Sequence, residues 1–117
     1  MDNEHIAVKW LQAFNDHDLE ALLFLYDENA IHFSPKLKIR MPETDGLIKG
    51  KEALRSWWKD AFQRIPELHY QQQTITANHD RVFMEYTRIV PGEVIINVAE
   101  VLEINNGKII ASRVYHG

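Results

Sequence analysis

Apolar positions recur along the chain in two periods, three to four residues in the first half and two in the second. Ile6, Trp10, Ala13 and Phe14 predict a first helix, capped by Asp2 or Asn3 and ending near Asn15-Asp16. Asp18 predicts the cap of a second, short helix, LEALLFLY, whose stripe is Leu19, Leu22, Leu23 and Tyr26 and whose stop is Asp27-Glu28-Asn29. Ala30 to Ser34 alternates as a strand does, and Pro35 closes it. Lys36 to Gly50 has no period and contains Pro42 and Gly46, which predicts a long loop at a pocket mouth. The helical period returns from Lys51 to Ile65 through Leu54, Trp57, Trp58, Ala61, Phe62 and Ile65, between Gly50 and Pro66.

Strands follow: His69 to Ala77, a turn at Asn78-His79-Asp80, then Arg81 to Val90. Pro91-Gly92 turns into a long hairpin, Glu93 to Gly117, folded at Asn106-Gly107. Alternation puts Val94, Ile96, Val98, Glu100, Leu102 and Ile104 on one side of its first strand. The second strand splits into Ile110, Ser112, Val114, His116 and Ile109, Ala111, Arg113, Tyr115, so both faces need cover. Helices gathered early and strands gathered late predict an α+β fold, three N-terminal helices on a curved, mostly antiparallel sheet.

A chain of 117 residues, 45% apolar and 26% charged, fits one domain over residues 1–117 with a real core. No cysteine is present, which excludes disulfides, thiol nucleophiles and cysteine zinc sites. The start, MDNEHIAVKW, has no basic leader before an apolar run, and no stretch is apolar enough to span a bilayer, so a cytoplasmic protein without membrane contact is expected. A net charge of −4 with scattered Lys and Arg argues against nucleic acid. The six histidines form no H-x-H, H-x-x-x-H or H-E-x-x-H pair, and phosphate loops and G-x-S-x-G elbows are missing; neither metal nor cofactor is expected.

Glu100 is the anomaly, one carboxyl in an apolar row. It must meet a partner, become neutral or face water in an open pocket. His32 is a candidate acid or base near neutrality, set against the plainer role of a hydrogen-bonded wall residue. His116 falls on the same side as Ser112 but beside the C-terminus. The aromatic stripe Trp10, Phe14, Tyr26, Trp57, Trp58 and Phe62 reads as core with some members lining a cavity. Lys36, Lys38 and Arg40 offer a weak attraction for an anion at the mouth.

WLQAFNDHDLEALLFLYDENAIHFSP, GKEALRSWWKDAFQRIP and NNGKIIASRVYHG together resemble the NTF2-like superfamily, in its SnoaL-like and ketosteroid-isomerase-like branches. The resemblance implies a cystatin-like cone, and a fold shared by isomerases, dehydratases, epoxide hydrolases, polyketide cyclases and non-catalytic proteins. It puts Trp10 where the isomerases have an oxyanion-hole tyrosine, Ser34 where they have the basic aspartate, and Glu100 at the second oxyanion-hole acid. Tyr26 keeps a supporting tyrosine and Trp58 replaces another. With Ser34 lacking a base of its own, the ketosteroid isomerase mechanism is not implied.

The resulting expectation is an apolar, ring-type small molecule held by Trp10, Phe14, Tyr26, Ser34, Trp58, Val98, Ser112 and His116, with Glu100 as acid and His32 as base. The alternative is a binding or dimerisation module without catalysis. A homodimer is expected through the outer sheet face, where Ile95, Asn97, Ala99, Val101, Ile109, Ala111, Arg113 and Tyr115 join Phe83 and Ile89.

Overall fold

The computed structural model describes residues 2–117. Helix α1 (Asn3–Asn15) starts where Asp2 accepts a hydrogen bond from the His5 amide at 2.8 Å, and α2 (Leu19–Phe24) is capped in the same way by Asp18. Strand β1 (Tyr26–Phe33) leads to α3 (Pro35–Arg40), a single 3₁₀ turn (Pro42–Thr44), β2 (Leu47–Lys49) and α4 (Lys51–Arg64). Strands β3 (His69–Ala77), β4 (Arg81–Ile89), β5 (Ile96–Asn105) and β6 (Lys108–His116) complete the chain. One sheet runs β2-β1-β6-β5-β4-β3, antiparallel except where β1 lies parallel to β6. The fold is α+β, with α1 over β3 and β4 and α4 over β1 and β2. Among the described residues no helix is long and apolar enough to cross a membrane.

Several expectations are corrected, beginning at the end of α2. Tyr26 is not on the second helix: α2 ends at Phe24 and Tyr26 opens β1. Asp27, Glu28 and Asn29 read as a helix stop because they are poor strand formers, yet they sit in β1 where its pairing with β6 is irregular between Tyr26 and Ile31. The segment 36–50 is not a long loop, and among the described residues the α-helices number four rather than three. Ser34 caps α3, its hydroxyl accepting from the Lys36 amide, and Pro35 fits the first turn; with only Leu37 buried, six residues show no period.

The first strand of the hairpin begins at Ile96, not Glu93, so Val94 and Ile95 are exposed residues of the preceding turn. Ile109 faces the core rather than the outside, because Ile110 is an extra residue in the ladder: Ile104 pairs with Ile109 but Glu103 with Ala111. The hairpin turn itself is as expected, with Asn106 at φ 51° and Gly107 at φ 75° in the left-handed region that such a turn requires.

Past that bulge, Ser112, Val114 and His116 share the inner face with Val98, Glu100 and Leu102 of β5 and with Val82, Met84, Tyr86 and Arg88 of β4. The outer face is mixed rather than apolar. Phe83, Val101 and Tyr115 alternate there with Glu85, Glu103 and Arg113, and Arg113 is ion-paired to Glu103.

The cover is fastened by Asn15. Its amide donates to the Tyr70 carbonyl at 2.8 Å and accepts from the Tyr70 amide at 2.7 Å, pinning the end of α1 to β3. Asn15→Ala strips both backbone groups of their partner in a half-buried place. A stability loss of about 1–3 kcal/mol is expected in urea unfolding; a midpoint unchanged at equal slope would show that the clasp does not hold the helix down.

Candidate active site

Between the inner sheet face and helices α1, α3 and α4 lies a cavity of about 290 Å³. Its depth follows strand register. Leu102, Ser112 and His32 share one level, Glu100 and Val114 the next, then Val98 and His116, and Ile96 with Arg88 is nearest the mouth. Of the residues singled out from sequence, Trp10, Phe14, His32, Ser34, Trp58, Val98, Glu100 and His116 line this cavity. Tyr26 and Ser112 do not; both are fully buried behind the wall. They lie there because Tyr26 opens β1 rather than riding a helix, and because Ser112 is covered by His32 on the neighbouring strand.

These two residues form the middle of a hydrogen-bonded relay. The Trp10 indole N–H donates to the Tyr26 hydroxyl at 3.0 Å, Tyr26 donates to Ser112 Oγ at 3.0 Å, and Ser112 Oγ is 2.6 Å from His32 Nδ1. An indole can only donate, so the polarity of the chain is set at its start. Tyr26 spends its proton on Ser112, and the Ser112–Nδ1 link runs in the direction the His32 tautomer sets, since the serine oxygen can give its own proton or accept a second one. Burial holds the His32 ring neutral, pushing its pKa down to about 4 against a smaller opposing pull from the Ser112 backbone. Burial likewise pushes the Tyr26 hydroxyl well above the usual phenol range.

Glu100 is 1% exposed. The Tyr86 hydroxyl donates to its Oε1 at 2.7 Å, while Oε2 has no partner among the described residues. Burial pushes the carboxyl up to about 8, and the Tyr86 hydrogen bond restrains the shift. The tyrosine pays in the opposite direction, driven well up by burial and by the facing carboxyl. Tyr70 stacks on Tyr86 with ring centroids 4.2 Å apart and on Phe14 at 4.1 Å, closing an aromatic wall beside the carboxyl.

His32 and Glu100 lie two strands apart with β6 between them, about 10 Å by strand spacing. They face one cavity from two walls and cannot share one proton directly.

Ser34 lines the cavity with its hydroxyl committed to the α3 cap. His116 stands exposed at the rim, its pKa lowered by partial burial and by Lys36 and Arg88. Sequence reasoning passed over Tyr70, Tyr86 and Arg88. The last two were within reach, since they continue the alternation of Val82 and Met84 along β4. Tyr70 was not, because a bulge at Gln73 breaks the period of an amide-rich strand. Among the described residues no group of three His, Asp or Glu side chains is gathered as a metal site.

Residues 7–112 match the family model of the SnoaL-like domain. Among solved structures, a SnoaL-like protein of unknown function from Burkholderia thailandensis is 25% identical with a TM-score of 0.87, over 97% of this chain and 92% of that one. An uncharacterized cystatin-fold protein from Novosphingobium aromaticivorans (19% identity, TM-score 0.82) covers 98% of both chains. A candidate polyketide cyclase from Sinorhizobium meliloti (16% identity, TM-score 0.79) covers 95% of this chain and 94% of its own. No curated protein matches the sequence. With the family model matching residues 7–112 and the fold shared with all three structures at TM-scores of 0.79 to 0.87, the chain belongs to the SnoaL-like family of the NTF2-like fold.

Proposed function

We propose that this chain is a small acid–base enzyme acting on an apolar, ring-type molecule, with Glu100 as the group that gives and takes the proton. The observation that carries the reading is a carboxyl buried in a cavity wall with one oxygen unpartnered and a pKa near 8. Such a group has both protonation states at hand near neutrality, which is what proton transfer in each direction requires. Buried orphans of this kind are rare because they cost stability, so their occurrence in a cavity points to a ligand. Tyr86 stabilises the charge when Glu100 ionises. His32, kept neutral by burial and held through Nδ1 by Ser112, faces the cavity from the opposite wall as the base partner to Glu100. Isomerisation, dehydration, hydration and cyclisation all fall within this equipment.

A second reading, a ligand-binding module without catalysis, is favoured by one observation. The Ser34 hydroxyl is engaged in a cap and His32 lies two strands away, so no dedicated base stands beside Glu100. Solvent deuterium separates the two. Wild type should speed deuterium incorporation next to the carbonyl of at least one member of a panel of cyclic ketones, and Glu100→Gln should slow it by on the order of 10² to 10⁴. Exchange that is absent in wild type, or equal in both proteins, leaves the binding module standing.

The fold stability carries a second signature. The native state keeps the Glu100 proton up to about pH 8 while the unfolded chain releases it near 4.5, so stability falls as pH rises through that window. His32 acts oppositely: the unfolded chain takes up its proton near 6.5 and the native state only near 4, so stability is lost as pH falls between those values. Glu100→Gln removes the first effect alone. Its melting temperature should sit close to wild type at about pH 5 and above it at about pH 9, the gap growing by at most about 1.4 kcal/mol per pH unit. A gap independent of pH would mean that Glu100 ionises as an ordinary carboxyl.

For assembly, the reading is a homodimer through the outer sheet face, supported by the exposed or half-buried Phe83, Val101 and Tyr115. Light scattering at micromolar concentration should give twice the chain mass. A monomer would show that Glu85, Glu103 and Arg113 keep that face in water.

A further inference from the structure

The cavity has a second polar end. Arg88 is the last inward residue of β4, and its side chain is only 9% exposed. It stands opposite Tyr70 on one neighbouring strand and Ile96 on the other, roughly 13 Å of strand nearer the mouth than Glu100. A guanidinium has five N–H donors. Among the described residues it makes one side-chain hydrogen bond, from Nη1 to Glu93 Oε1 at 2.9 Å. Glu93 belongs to the turn between β4 and β5, and its side chain is half exposed. Burying a cation on an otherwise apolar and aromatic wall is unfavourable without an anion to meet it. The only anion supplied is one that can swing out into water.

Charge around the mouth points the same way. Lys36, Arg40 and Arg64 also line the cavity, against Glu93 as the one carboxylate besides Glu100. Lys36 has no ion-pair partner among the described residues, and it lowers the pKa of both Glu93 and His116, which places it by Arg88. Arg40 and Arg64 share Asp60. A chain with net charge −4 therefore opens through a cationic collar.

We infer that the molecule held here is a carboxylate: an apolar ring body between the aromatic walls, its carboxylate forked onto Arg88 in the place Glu93 occupies, and its uncharged polar end toward Glu100. The planar fork of a guanidinium matches a carboxylate in two parallel hydrogen bonds. The volume suits the body, holding on the order of ten water-sized groups at about 30 Å³ each. Glu93 acts as a placeholder that keeps the buried cation compensated in the empty protein and competes with the ligand for it. The inference deepens the small-molecule reading above and rests on it.

Matched probes test it: 2-naphthoate and its neutral isostere 2-naphthamide, titrated calorimetrically into wild type, Arg88→Gln, Arg88→Lys and Glu93→Gln. Wild type should prefer the carboxylate by about tenfold to a hundredfold, the range of a charged hydrogen-bonded contact. Arg88→Gln should erase the preference with little change for the amide, and Glu93→Gln should tighten the carboxylate alone, severalfold. Arg88→Lys, which keeps the charge and loses the fork, should retain a reduced preference and serves if the glutamine variant does not fold. Equal wild-type affinities, or a preference surviving undiminished in both Arg88 variants, overturns the assignment. That outcome leaves the Glu100 proposal untouched, since deuterium exchange tests it separately. Failure of both probes to bind at millimolar concentration also overturns it.

Discussion

A polar group inside an apolar wall must find a partner or become a source of instability, and the arrangement of this cavity follows from how that constraint is met. On one wall it is met by a chain of partners. An indole, a phenol, a hydroxyl and an imidazole from α1, β1 and β6 satisfy one another in sequence, tying the covering helix to the parallel strand pair. On the other wall it is met by half: among the described residues Glu100 has Tyr86 on one oxygen and nothing on the other. Bonded and unbonded polar groups are thus divided between two halves of the inner sheet face, with β6 between them.

The elements legible in the sequence were α1, α4 and β4, which have long, clean periods, and β3 and the hairpin, which are marked out by the turns that bound them. The misreadings have local causes. Tyr26 sits at a junction where a helical stripe runs directly into a strand, and the three polar residues after it gave the wrong stop. The short α3 buries one side chain, too few to leave a period, although Ser34-Pro35 was a start signal in plain view. Glu100 and His32 stood out because they are polar residues in apolar rows. Tyr86 and Arg88 did not stand out, because a tyrosine passes for core and an arginine at a strand end passes for surface. Three-dimensional register decided their roles, and one sequence does not print register.

Trp10 and Ser34 show why fold and chemistry separate in such cones. Each holds a position that the resemblance associates with isomerase chemistry, yet each is bound here into structure, Trp10 as the start of a relay and Ser34 as the cap of a helix. The same backbone positions serve packing in one chain and reaction in another, depending on what the side chain can exchange with its neighbours.

The extra residue at Ile110 carries a consequence for how such a chain can change over time. On its turn side, β6 sends Ile109 into the closed core; on its far side the same strand sends Ser112, Val114 and His116 inward. An unbroken strand could not do both, because two-residue alternation would put one of the sets in solvent. The bulge works as a phase shifter between a half that packs and a half that faces the cavity. Substitutions beyond it can explore new cavity walls without disturbing the register of the packed end, whereas losing that one residue would turn the β6 part of the cavity wall inside out in a single step.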